Sequence, residues 1–286
     1  MTRFVNLLAA GLCLLLGSGA CTRLERAYLP EPEASFPRLT RFAEEPSVSV
    51  DHAGWTEILQ EIVVTDSQGV NRIPYGKVDL VTRRLIKTYI RSLEDTPVTR
   101  LTRAQQLAYW INLYNAVVVR TVLDFYPVDS IREISFQGLF TFGPWSEPLV
   151  RVEGQSLSLN DIEHRILRPV FQEPRIHYAL NCAAVQCPNL AKQAWEPERL
   201  DADLTAAARA YVNDPRGVRV ADDGDLVLSK IYAWFREDFG GTPDTVRQHL
   251  SRYADADLRA VLADQPDIDD YVYDWSLIDA AAAPVR

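Results

Sequence analysis

The sequence predicts an α+β fold, a helix-rich single domain around a small antiparallel sheet. Two observations lead to this prediction. Long stretches carry apolar residues at the three-to-four-residue spacing of amphipathic helices. The stretches that alternate apolar with polar residues are short and are bounded by glycine or proline, as hairpin strands are. With 286 residues, of which 47% are hydrophobic and 24% charged, the composition is that of a globular chain.

Two helices are predicted near the start of this domain. The stretch DHAGWTEILQEIV carries the first helical pattern, and KVDLVTRRLIKTYIRSLED carries the second. In the second helix we expect the apolar residues to face inward, namely Val78, Leu80, Val81, Leu85, Tyr89, Ile90 and Leu93.

The most apolar predicted helix covers residues 102–126. Thr102, with Gln105 three positions later, has the pattern of a capping box, and Pro127 ends the helix. Asn112 and Asn115 lie in this run and share one face. Since an unpaired buried amide costs about 1–3 kcal/mol, both must be hydrogen bonded. They either satisfy loop backbone or face a cleft, where they would orient a catalytic group or a substrate.

The second half of the chain predicts short mixed elements. Hairpins are expected in LVRVEGQSLSL and GVRVADDGDLVLS, and a helix after Ser158, with Asp161 completing its cap. The pattern of RIHYALNC predicts a strand. Helices are expected in PERLDADLTAAARAYVND, in SKIYAWFREDF, which Ser229 would cap, and in the tail after residue 241, before a last strand near DYVYDWSL.

The N-terminus predicts export. Residues 1–20 contain one arginine, an apolar run and a small-residue end, the pattern of a signal peptide. Gly19 and Ala20 precede Cys21 as they would at the cleavage site of a bacterial lipoprotein, so Cys21 is the expected site of lipidation. A plain secretory peptide cut nearby is the alternative.

Three regions follow from this N-terminus. Residues 1–20 are the predicted signal peptide, residues 21–48 a lipidated, proline-rich tether, and residues 49–286 the globular domain. We expect a periplasmic protein that its lipid anchors to a bacterial membrane, the outer rather than the inner. The net charge of -9 repels polyanions, which excludes nucleic acid as a partner.

The stretch IHYALNCAAVQCPNL contains the candidate catalytic pair. Pro188 favours the first position of a helix, which would make Cys187 its cap and lower the pKa of the thiol. His177 would be the base if the loop NCAAVQ folds back across the end of the predicted strand and brings Cys187 near the imidazole. Glu163, His164, Asn112 or Asn115 would hold the second imidazole nitrogen.

Three other interpretations of the same residues stay open. Cys182 and Cys187 are spaced for a disulfide, which an oxidising compartment favours. His177, Cys182 and Cys187, with His164, offer zinc-binding atoms, although their spacing is not a usual zinc signature. The cysteines could also be inert core residues. We predict no metal and no other cofactor.

Five motifs resemble one protein family. YWINLYNA, LSLNDIEHRILRP, RIHYALNCAAVQCPNL, VLSKIYAWFREDFG and YDWSL, in this order, resemble the family of domain of unknown function 547 over roughly residues 75–280. The resemblance implies an exported bacterial protein but no particular activity. The family core also looks like papain-type and transglutaminase-type thiol enzymes, although in those the cysteine opens the central helix.

Two functions are therefore expected for this chain. The first is a thiol-dependent hydrolase or acyltransferase acting on amide or thioester bonds, with Cys187 as nucleophile and His177 as base. The N–H groups after Cys187 would stabilise the oxyanion, although Pro188 removes one of them. The alternative is a non-catalytic periplasmic module that binds a peptide or small ligand and is stapled by a Cys182–Cys187 disulfide. Redox cycling of that pair is a third interpretation.

Overall fold

The computed structural model describes Arg26, residues 29–136 and residues 143–281. The predicted signal peptide and Cys21 lie outside these residues. The chain folds into two compact units. The large unit contains residues 32–208 and the chain from residue 274 onward, and the small unit contains residues 209–273 with the chain before Pro32.

The large unit is mainly helical. Its elements are α1 (Ala53–Ile62), β1 (Val64–Thr65), β2 (Asn71–Arg72), α2 (Leu80–Glu94), α3 (Arg103–Phe125), β3 (Val150–Val152), β4 (Gln155–Leu157) and a π-helix (Asp161–Phe171). Short 3-10 helices cover Tyr75–Lys77, Val98–Arg100, Ile131–Glu133 and Pro174–Tyr178. Helix α4 (Leu200–Val212) follows; its residues up to Ala208 belong to the large unit and those from Arg209 to the small unit. β1 pairs with β2 and β3 with β4, both antiparallel.

The small unit contains a three-stranded sheet and short helices. These are β5 (Val218–Val220), β6 (Leu226–Ser229), α5 (Ile231–Trp234), a 3-10 helix (Arg236–Phe239), α6 (Pro243–Tyr253), α7 (Ala256–Ala263) and β7 (Ile268–Val272). The predicted α+β class, with small sheets, is confirmed. The sheet is not purely antiparallel, because β6 pairs antiparallel with β5 but parallel with β7.

Helix α3 is the centre of the core of the large unit. Its predicted capping box is confirmed, since the Thr102 N–H donates to Gln105 Oε1 at 2.9 Å and the Gln105 N–H donates to Thr102 Oγ1 at 3.4 Å. Nearly every residue from Gln106 to Leu123 is buried. Each large apolar side chain buried in this way contributes about 1.5–3 kcal/mol of transfer free energy. Helix α3 is therefore firmly held, and loops that bond to its side chains are held in place with it.

Helix α2 buries part of the stripe predicted for it. Val78, Tyr89, Ile90 and Leu93 are buried as expected. Leu80, Val81 and Leu85 are exposed, at 72%, 62% and 49% of their full accessibility, although we expected them to face inward. The buried stripe instead follows Thr82, Ile86, Tyr89, Ile90 and Leu93. Both stripes fit helical spacing, and Asp79, whose side chain caps Thr82, begins the helix with the second stripe turned inward.

The predicted tether is partly packed. Leu39 is completely buried, and Phe36, Phe42 and Val48 pack against the core. The Ala43 N–H also donates to the Leu101 carbonyl at 2.9 Å. Large apolar side chains in this proline-rich stretch anchor it, so the packed chain begins before residue 49. Among the described residues, no helix combines the length and the apolar character that crossing a bilayer requires.

Candidate functional site

The stretch that carries His177 is not a strand. Pro174–Tyr178 forms a 3-10 helix in which the Glu173 carboxylate accepts from the Arg175 N–H at 3.0 Å. Pro174 occupies its first turn, where a missing N–H costs nothing. The alternation of apolar residues suggested a strand, but this local cap starts a helical turn instead, and the strand prediction is wrong.

No helix begins at Pro188. Residues 188–196 are irregular, and asparagine side chains occupy carbonyls that a helix would need. Asn181 Nδ2 donates to the Pro188 carbonyl at 2.7 Å, and Asn71 Nδ2 donates to the Leu190 carbonyl at 2.8 Å. The helix prediction is therefore wrong. Without a helix N-terminus at this position, the expected stabilisation of a Cys187 thiolate is wrong too.

Cys182 and Cys187 form a disulfide, with their Cα atoms 6.2 Å apart. We call residues 182–187 the cystine loop. Cys187 is 1% exposed, and its Sγ accepts a hydrogen bond from the Cys182 N–H at 3.1 Å. A disulfide sulfur carries no ionisable thiol, so Cys187 has no thiolate for nucleophilic attack in this state. Its predicted catalytic role requires prior reduction.

Two asparagines of α3 hold the chain on either side of the cystine loop. Asn112 bonds both backbone groups of Trp195: Nδ2 donates to its carbonyl at 2.8 Å, and Oδ1 accepts from its N–H at 3.0 Å. Asn115 Nδ2 donates to the Ala179 carbonyl and Oδ1 accepts from the Asn181 N–H, both at 2.9 Å. Both side chains are buried and satisfy loop backbone, the first of the two expected arrangements.

The cystine loop has further supports that the sequence analysis did not identify. Asn181 Oδ1 accepts from the Ala183 N–H at 2.9 Å, across a backbone that is left-handed at Ala183 (φ 62°). The Val185 N–H donates to the Ser276 carbonyl at 2.8 Å, and the Ile278 N–H donates to the Ala183 carbonyl at 2.9 Å. Asn181 lies within the motif quoted above, and the signal available in the sequence was an asparagine directly before Cys182.

Glu163, one of the four groups offered as a partner for His177, lies near its imidazole. Glu163 Oε1 of the π-helix lies 3.9 Å from His177 Nδ1, and Tyr114 Oη donates to Glu163 Oε2 at 3.0 Å. Glu163 is 9% exposed and His177 3%. The distance from the carboxylate to Nδ1 is that of an ion pair rather than a hydrogen bond. Tyr114 was missed, although it lies on α3 beside Asn115.

His164 faces a guanidinium. Its Nδ1 lies 3.1 Å from Arg168 Nη1, one turn along the same π-helix. Among the residues that the structure describes, no group of three or more histidine, cysteine, aspartate or glutamate side chains is arranged to hold a metal ion. The two sulfurs of the zinc alternative are bonded to each other.

A groove of about 530 Å³ lies on the surface of the large unit, between α1 and α2. We call it the α1–α2 groove. Its lining contains Ser49, Val50, Asp51, Gly54, Glu57, Ile58, Glu61, Leu85, Thr88, Tyr89, Ser92 and Thr96. Ile58, Tyr89 and the exposed Leu85 supply apolar surface.

The α1–α2 groove is negatively charged. Among the described residues, its lining holds three carboxylates, those of Asp51, Glu57 and Glu61, but neither lysine nor arginine. Within the same part of the chain, no cation forms an ion pair within 4.0 Å of any of the three. Burial lowers the pKa of nearby His52 to about 4, although Asp51 raises it, so the imidazole is neutral at pH 7. Its Nδ1 shares a hydrogen bond with Tyr89 Oη at 2.6 Å.

The comparisons with known proteins identify one family. Residues 98–212 match the family model described as Protein of unknown function, DUF547. The chain carries a DUF547 region. This confirms the predicted family over α3, the π-helix, the cystine loop and α4, a shorter span than the one expected. No curated protein matches the chain. No solved structure matches it either.

The DUF547 region contains all the candidate catalytic residues. Asn112, Asn115, Glu163, His177 and Cys187 fall between residues 98 and 212, whereas the α1–α2 groove precedes the matched segment. The family description gives no activity, so the roles predicted for these residues stay predictions.

Proposed function

We propose that the protein is a non-catalytic, exported binding module whose ligand is a basic peptide that also carries an apolar side chain. The observation that carries this proposal is the α1–α2 groove, whose described lining has three carboxylates and no cation. Such a groove raises the local concentration of positively charged ligands. The alternative, thiol-dependent hydrolysis or acyl transfer, requires a reduced Cys187.

The size and polarity of the groove favour a short peptide. A volume of about 530 Å³ is within the ordinary range for a small-ligand site, about 300–1,000 Å³. The apolar side chains of Ile58, Tyr89 and Leu85 in the lining would contact one side chain of the peptide. The hydroxyls of Ser92 and Thr88 can bond its backbone.

The location is part of the proposal. Export and lipidation at Cys21 would leave the module at a membrane surface, and the packing of Leu39 would bring the domain closer to it than a tether ending at residue 48. Mass spectrometry of the mature N-terminus tests this: an acylated Cys21 supports the anchor, and a free N-terminus elsewhere contradicts it. A Cys21→Ala variant should move to the soluble fraction.

The groove is tested by fluorescence polarisation with a labelled Lys-Leu-Lys-Leu peptide. We expect Glu57→Gln and Glu61→Gln each to weaken binding by about threefold to tenfold, since each removes a charge of the groove lining. Glu44→Gln, which removes an exposed carboxylate outside the groove, is the matched control and should leave the affinity unchanged. Equal binding of Glu-Leu-Glu-Leu, or equal losses in all three variants, would refute the proposal.

The thiol alternative is tested by a thiol count on protein prepared without reductant. Non-catalytic function predicts no alkylated thiol at Cys182 or Cys187. Catalysis by a thiolate predicts two free thiols, one of them alkylated rapidly near neutral pH, and a slower rate in His177→Ala. The second result would contradict the non-catalytic function and support the thiol-dependent reaction.

A further inference from the structure

A second pocket of the large unit contains a partly buried arginine that has no carboxylate partner among the described residues. The pocket has a volume of about 270 Å³ and lies between α2, α3 and the start of β3. We call it the Arg120 pocket. Its lining contains Lys87, Ile90, Arg91, Glu94, Arg120, Thr121, Asp124, Phe125, Phe136 and Leu149. None of these residues lines the α1–α2 groove.

The guanidinium of Arg120 has hydrogen-bonding capacity to spare. Within the described chain its side chain makes one hydrogen bond, from Nη2 to the Leu149 carbonyl at 3.2 Å, whereas a guanidinium has five N–H groups. Burial lowers the pKa of Arg120, while Asp124 and Glu94 raise it, but neither carboxylate comes within 4.0 Å. A charge removed from water without a close partner is costly, so an incoming anion would relieve this cost.

The two nearby carboxylates are engaged elsewhere. Asp124 Oδ1 accepts from Lys87 Nζ at 2.7 Å, and Glu94 Oε1 accepts from the Arg151 N–H at 2.8 Å. The lining carries three cationic and two anionic side chains, so its balance is positive in a chain whose net charge is -9. Local charge of this sign attracts anions.

The rim of the pocket is aromatic. The rings of Phe125 and Phe136 meet edge to face with centroids 4.9 Å apart, yet the residues are 37% and 46% exposed. Large apolar side chains exposed together mark a contact surface. They provide the apolar half of a site whose charged half is Arg120, and Arg91 is also part of the lining.

We propose that the Arg120 pocket binds a small aromatic carboxylate, with the carboxylate on the Arg120 guanidinium and the ring against Phe125 and Phe136. A planar guanidinium matches a carboxylate through two parallel hydrogen bonds. The volume corresponds to about nine waters at roughly 30 Å³ each, enough for one ring and its acid group. This site is independent of the peptide ligand proposed above.

Isothermal titration of the purified full chain with phenylacetate tests the proposal. We expect a dissociation constant of about 1 mM or below, a usual strength for so small a ligand. Phenylacetamide, which lacks the charge, and acetate, which lacks the ring, should each bind about tenfold more weakly. Binding that acetate matches, or no binding up to about 10 mM phenylacetate, would overturn it.

Variants separate this pocket from other sites. Arg120→Gln should weaken phenylacetate binding by about tenfold or more, and Phe136→Ala by about threefold. Arg84→Gln is the matched control, because Arg84 is exposed on α2 outside the pocket. If Arg120→Gln does not fold, Arg91→Gln and Phe136→Ala carry the test. Unchanged affinity in the folded variants would refute the assignment.

Discussion

Replacing Asn112 by alanine should destabilise the large unit strongly. The substitution removes the hydrogen bonds at 2.8 and 3.0 Å to the two backbone groups of Trp195 and leaves both groups buried without partners. Each such group costs about 1–3 kcal/mol, so the expected loss is about 2–6 kcal/mol in the free energy of unfolding. Asn115→Ala, which removes the partners of Ala179 and Asn181 in the same way, should cost a similar amount.

Urea unfolding followed by circular dichroism measures these losses. We expect a lower midpoint without a change in slope, and a melting temperature lower by roughly 5–20 °C. Asn160→Ala is the control. Within the described part of the chain its side chain bonds one group, the exposed Ser146 hydroxyl, so the variant should stay within about 0.5 kcal/mol of the parent protein.

The outcome also separates a structural from a catalytic role. An asparagine that orients a catalytic group can usually be removed with little loss of stability, because its partner is a side chain that water can reach. If Asn112→Ala and Asn115→Ala unfold at the same urea concentration as the parent protein, the hydrogen bonds from these two side chains to the backbone do not stabilise the fold as we argue.

Three further predictions concern stability. Burial lowers the pKa of His52 from its ordinary 6.5 to about 4 in the folded protein. The neutral imidazole therefore contributes its full share to the free energy of unfolding above pH 6.5, and this share is lost as the pH falls through 4. His52→Asn, which keeps an acceptor for Tyr89, should reduce the loss between pH 7.5 and 4.5 by about 2–3 kcal/mol, and identical pH profiles would contradict this. Gly54→Ala should raise the free energy of unfolding by about 0.5–1 kcal/mol, because Gly54 lies in helix α1 and an added Cβ would have no atom within 4 Å. A lower melting temperature would contradict this prediction. Gly217→Ala should lower it by more than about 1 kcal/mol, because its Cβ would overlap the Tyr211 carbonyl oxygen, and an unaltered unfolding curve would refute this.

Local signals predicted the elements whose ends are fixed by neighbouring residues. The Thr102 and Gln105 box begins α3 where expected, and Ser158 and Asp161 exchange hydrogen bonds as the pattern requires. The hairpin of β5 and β6 turns at Gly224, whose φ is 95°. Each of these depends on residues a few positions apart, which a sequence displays directly.

Elements decided by distant residues were not predictable. Nothing near Pro188 indicates that Asn181 and Asn71 take carbonyls that a helix would use. Periodicity alone could not choose between the two apolar stripes of α2, and so it placed Leu85 inside. Residue chemistry named Glu163 as one of four candidate partners of His177 but could not choose among them. The partner of Asn112, 83 positions away, depends on the path of the chain.

The hydrogen bonds that Asn112 and Asn115 make to the backbone affect the chemistry of the cystine loop. Asn115 fixes the chain just before Cys182, and Asn112 fixes it at Trp195, after Cys187. If a reductant opened the disulfide, these bonds and the one from Asn181 to the Pro188 carbonyl would still hold the two thiols near each other. An external disulfide oxidant, which takes up the two electrons, would first form a mixed disulfide with one cysteine, and the other cysteine would then displace the oxidant's thiol within the molecule. The loop would then return to the same conformation after each reduction, without refolding of the rest of the large unit.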